Sequence, residues 1–131
     1  MTKLATRSNK LSGVLAWELA PDQGVCRESV TVVMQAGMDI GSAVVYDGTS
    51  KYIWVQASAV ATLNADVCVV IDADKDIPSM TAGDQTMTVL KRGHAKIVGA
   101  SLNYKDALTD PQKATVLAAF KVKNILNTVK V

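Results

Sequence analysis

Apolar and polar positions change rhythm several times along the chain, and the clearest β pattern runs from Ser29 to Val55. Ser29–Gln35 is rich in β-branched residues, with Val30, Thr31, Val32 and Val33 in succession. Such side chains favour strands because they fit a pleated, half-buried surface. Gly37 and Gly41 then interrupt the run. Beyond them, Ala43–Tyr46 and Lys51–Val55 flank Asp47-Gly48-Thr49-Ser50. Apolar and aromatic runs around Asp-Gly are a strong hairpin signal. The stretch therefore predicts three short strands and two turns.

The remainder follows with less regularity. Gln56–Asn64 is small and polar, a connection or a single weak turn. Asp66–Asp72, DVCVVID, is an apolar run bounded by acids and reads as a buried strand. Asp74–Gly83 reads as loop. Gln85–Leu90 and Ala95–Val98 then flank Lys91-Arg92-Gly93-His94, which predicts a second hairpin by the same logic. Helix is expected only near the end. Thr109-Asp110-Pro111-Gln112 supplies an N-cap, a first-turn proline and a glutamine three residues after the cap. Lys113–Lys123 continues with Val116, Leu117 and Phe120 on one face. Asn124 is the expected stop, and Ile125–Val131 can return as a last strand. The pattern predicts a mainly β fold, a small sandwich or barrel-like domain, with one short C-terminal α-helix.

The N-terminus departs from this pattern. Residues 1–12 carry few large apolar side chains and cannot bury enough surface to offset their ordering entropy. Gly13–Ala20, GVLAWELA, holds Val14, Leu15, Trp17 and Leu19, which are costly to leave in water, and Pro21 ends it. Two readings stand side by side: a first edge strand packed on the domain, or an extended arm that orders on a partner. The arm reading divides the chain into a flexible segment at 1–24 and a β-rich domain at 25–131, with residues 1–20 poorly ordered in the free protein. The apolar run Val14–Trp17 stops at Glu18, short of the 7–15 residues a signal peptide core requires, so no secretion signal is expected.

Composition narrows the chemistry. The 131 residues suit one domain, and 14 Lys plus Arg against 12 Asp plus Glu give a net charge of +2. That balance does not favour nucleic acid, which calls for a basic stripe. No run approaches the roughly 18 apolar residues of a membrane span. Cys26 and Cys68, the only two cysteines, stand far apart in sequence and read as free thiols. Asp72-Ala73-Asp74-Lys75-Asp76 opens like a calcium loop, but Ile77 stands where the loop needs glycine and Gly83 where it needs glutamate. His94 is the single histidine, beside Arg92 and Lys96, with no second imidazole for zinc or for acid–base work. Neither metal nor cofactor is expected, nor an enzymatic activity. Tyr46, Tyr52 and Trp54 share a hairpin with Lys51, an arrangement that can stack single-stranded bases. A small β-barrel module for nucleic acid or carbohydrate is therefore the rival functional reading.

The order of segments carries one further resemblance. Cys26-Arg27-Glu28-Ser29-Val30-Thr31, the hairpin around Asp47-Gly48, the acid-bounded DVCVVIDAD and Leu90-Lys91-Arg92-Gly93 follow one another from Val25 to Val131. In this order the chain resembles the head decoration proteins of tailed phages, of the phage lambda type. The resemblance implies a non-enzymatic cement made in the host cytoplasm and carried on the outer capsid surface of the virion. It implies homotrimers at three-fold positions of the expanded head, with the major capsid protein as partner and neither nucleic acid nor membrane. N-terminal arms of that family add a strand to capsid-protein sheets, which assigns capsid contact here to Leu15, Trp17, Leu19 and Arg27. Strand addition takes its affinity from backbone hydrogen bonds and its specificity from alternate side chains. The expected absence of a metal is checked by elemental analysis: a stoichiometric ion, with folding lost on chelation, contradicts it.

Overall fold

The computed structural model describes residues 11–20 and 23–128. Eight strands and one α-helix follow the chain: β1 Leu15–Glu18, β2 Arg27–Met34, β3 Ala43–Tyr46, β4 Tyr52–Trp54, β5 Val67–Val70, β6 Gly83–Leu90, β7 Ala95–Val98, α1 Asp110–Val122 and β8 Ile125–Thr128. Five of the strands close a barrel in the order β2-β4-β3-β5-β6. The fold is mainly β with one helix near its C-terminal end, as the patterning predicts.

The central stretch forms the three expected strands. β3 and β4 are a hairpin with Val44 opposite Trp54 and Tyr46 opposite Tyr52. Its turn is held by Asp47, whose Oδ1 accepts from Thr49 N and Oγ1 at 2.8 Å and from Ser50 N and Lys51 N at 3.2 Å. Four donors on one carboxylate oxygen stabilise the ionised form, led by the Thr49 backbone bond, and lower its pKa to about 2. β2 closes the barrel by pairing antiparallel with all of β6, from Arg27 opposite Leu90 to Met34 opposite Gly83, and parallel with β4 at Val32 opposite Tyr52. β5, the acid-bounded run, is buried throughout.

The second expected hairpin does not form. β6 belongs to the barrel, whereas β7 pairs antiparallel with β1 and parallel with β8 in a separate three-stranded sheet. Lys91–His94 is the crossing between them. Its backbone donors go to distant partners: Lys91 N to Cys26 O at 2.8 Å and Gly93 N to Lys123 O at 2.8 Å. Gly93 fits because a Cβ there would collide with Asn124 backbone atoms.

The N-terminal segment also differs from a free arm. Leu15–Glu18 is an edge strand on β7, and Val14 is buried. Val14 packs over Gly41, where a Cβ would approach its Cγ2 to 2.8 Å and where φ is +96°. Within the span expected as an arm, residues 14–18 are thus part of the fold, and the edge-strand reading describes them. Residues 1–10 lie outside the described set.

The helix starts as the sequence predicts. Thr109 accepts from Gln112 N and Gln112 caps Thr109 N in return, a full capping box, with Pro111 in the first turn. Val116 and Phe120 are fully buried against the barrel, Leu117 lies at the margin, and Asn124 turns the chain at φ 61° into β8. Among the described residues no helix is long and apolar enough to cross a membrane.

Two outcomes follow for stability. Phe120→Ala should cost about 3–5 kcal/mol in denaturant unfolding, because a fully buried ring is replaced by a cavity. Deleting residues 1–20 should lower the melting temperature in calorimetry, since it removes β1 and buried Val14; unchanged melting would restore the arm reading.

Candidate functional site

The residues assigned to capsid contact fall into two groups. Leu15 is half-buried and packs against the core. Arg27, the first residue of β2, is turned inward to Glu18, with Nε 3.0 and 3.1 Å from the two carboxylate oxygens and Nη2 on the same group. The Glu18 side chain is 4% exposed and that of Arg27 30%. A carboxylate so buried requires its partner, and the Glu18 hydrogen bond in turn raises the Arg27 pKa above its ordinary value. Arg27 therefore ties the small sheet to the barrel.

Trp17 and Leu19 form the second group, 49% and 42% exposed. Trp17 lies on β1 and Leu19 directly follows it; among the described residues β1 pairs with β7 and with no other strand. Its register slips by one residue between Leu15 and Trp17. Such a bulge re-aims side chains. The outer edge of β1 thus combines unpaired backbone groups with two exposed apolar side chains. That is the chemistry of strand addition.

The rival site is differently placed. Tyr52 and Trp54 are buried, Trp54 Nε1 donates to Asn103 O at 3.1 Å, and the Tyr46 and Tyr52 rings lean on each other at 5.4 Å. Lys51 is paired with Asp84 at 2.7 Å. Two of the three aromatics are thus core, whereas Tyr46 is half-buried at the surface, its OH donating to Thr49 O at 2.8 Å.

A third cluster escaped the sequence reading. Asp66, just before β5, accepts from Tyr52 OH at 2.6 Å and from Lys123 Nζ at 2.8 Å, with Lys91 Nζ at 3.4 Å. Burial opposes ionisation of Asp66, but the bonds from Lys123 and Tyr52 outweigh it and its pKa is lowered. Lys123 also reaches Val67 O at 2.9 Å. The cluster ties the end of α1 to the barrel beneath a depression of about 470 Å³. Beside it the Cys68 thiol is pushed up to about 11, chiefly by burial. A thiol held neutral is a poor nucleophile. Exposed His94 opens β7, and among the described residues no group of three metal-ligating side chains occurs.

No protein-family model, curated protein or solved structure matches the chain.

Two measurements test this geometry. Arg27→Ala should destabilise the fold by about 3 kcal/mol, the low end for breaking a buried pair because Arg27 is partly exposed. Glu18→Gln in the same chain should recover much of that loss, and a cycle showing no coupling contradicts it. For Cys68, a folded pKa near 11 against an ordinary 9.0 favours the neutral thiol in the folded state. That contribution is complete below pH 9 and lost as pH rises toward 11. Alkylation of Cys68 at pH 8 should accordingly be far slower in the folded protein than in the unfolded chain.

Proposed function

We propose that this chain is a capsid decoration protein, a structural cement that binds the outer surface of an expanded phage head. The observation that carries the reading is the open outer edge of β1, with Trp17 and Leu19 exposed beside it. A capsid-protein strand added to that edge continues the sheet β1-β7-β8 and covers both side chains. The segment resemblance points the same way, from Cys26-Arg27-Glu28-Ser29-Val30-Thr31 to Leu90-Lys91-Arg92-Gly93.

In this role the protein acts as a homotrimer at three-fold positions. Each copy contributes one edge, and once the first engages, the others bind at high effective concentration. Modest individual contacts then hold neighbouring capsid subunits against outward pressure. The contact residues within this reading are Trp17 and Leu19, with Leu15 and Arg27 supporting the strand from inside.

Binding to expanded heads, prepared without decoration protein from the phage that encodes the chain, tests the proposal by co-sedimentation. Trp17→Ala should weaken binding by about 2 kcal/mol per contact, the loss of a well-buried aromatic anchor, with melting unchanged because the ring is half exposed. A variant that binds like the parent chain contradicts the assignment.

A further inference from the structure

The register of the small sheet places more than β1 on its outer side. Trp17 lies opposite Lys96 on β7, and Lys96 lies opposite Leu126 on β8. Directly opposed residues share a face of the sheet. All three are exposed, with Leu126 at 42%. A row of one aromatic, one ammonium and one aliphatic side chain thus crosses the whole sheet, spanning roughly 10 Å at ordinary strand spacing. The inner face is its opposite: Glu18, Ala95 and Ile125, also in register, are buried.

We propose that this outward face, and not the β1 edge alone, is the docking surface, and that its occupant is a protein surface presenting a carboxylate between apolar side chains. This rests on the decoration reading and names the chemistry of the partner site. The charge argument is direct. Lys96 makes no ion pair among the described residues. It sits midway between two apolar groups, so a partner that covers Trp17 and Leu126 also covers its ammonium. An ammonium removed from water without a countercharge is strongly unfavourable. The occupant must bring an acid there, with apolar groups on either side.

Lys121 extends the positive charge to the rim. It lines, with Ala114, Leu117, Ala118 and Leu126, a groove of about 540 Å³ between α1 and β8. A two-fold contact between copies through this row would oppose two Lys96 side chains. An anionic membrane would have to receive the unpaired backbone of the β1 edge, which hydrocarbon does not tolerate. An acidic protein surface meets neither obstacle.

The test uses the same expanded heads with four chains: wild type, Lys96→Glu, Lys96→Arg and Leu126→Asp. Lys96→Glu and Leu126→Asp should each bind about tenfold or more weakly, whereas Lys96→Arg stays close to wild type. Melting temperatures should match, because these side chains are exposed. If Lys96→Glu and Leu126→Asp bind like wild type while Trp17→Ala is weakened, docking is confined to β1 and the inference falls alone. Failure of the wild type to bind heads overturns both readings. Sedimentation of the wild type with phosphatidylserine vesicles, abolished by Lys96→Glu, replaces the protein occupant with a membrane. Self-association abolished by the same change replaces it with a second copy, and either result overturns the proposal.

Discussion

Strand β2 is the constraint on which the other elements depend. It pairs along its whole length with β6 and touches β4 in parallel, so the barrel closes through it. A closed barrel leaves no strand edge exposed. The same strand begins with Arg27, whose guanidinium holds buried Glu18 and fixes β1 against the barrel. Closure of the larger sheet and anchoring of the smaller one thus share one element. The edges left open among the described residues belong to the small sheet, and exposed Trp17, Leu19 and Leu126 lie on its strands or beside them.

This division leaves the small sheet, rather than the barrel, with an edge and a face open among the described residues. The barrel interior is filled with side chains such as Val44, Val70 and Met87, and Tyr52 and Trp54 are buried. The Asp66 cluster, with its two lysines and Tyr52, forms a clasp between α1, β4 and β5. In the proposed reading, specificity falls to one sheet face, where a backbone edge, apolar side chains and a lysine without an ion pair among the described residues coincide.

Much of the fold was legible because its signals are local. The hairpin β3–β4 carries its own turn chemistry in Asp47, and α1 carries its own cap in Thr109 and Gln112. The run Gln85–Val98 looked alike, with apolar segments around a glycine, yet its two strands enter different sheets. No carboxylate closes that turn. Its donors find Cys26 and Lys123, distant in sequence, and a local pattern does not encode such partners. The site was partly legible for the same reason. Trp17 and Leu19 stood out as apolar residues before a proline. Glu18, an acid inside an apolar run, was itself a sign of the buried pair it makes with Arg27. Lys96 and Leu126 became visible only through the parallel β7–β8 register, which joins elements from either side of α1.

Cryo-microscopy of decorated expanded heads, at a resolution that shows side chains, addresses the central claim most directly. The account predicts three copies around each three-fold position, with the β1-β7-β8 sheet facing the capsid protein, Trp17 covered and a carboxylate beside Lys96. Heads carrying the protein through the opposite end of the barrel, with that sheet turned to solvent, would contradict it.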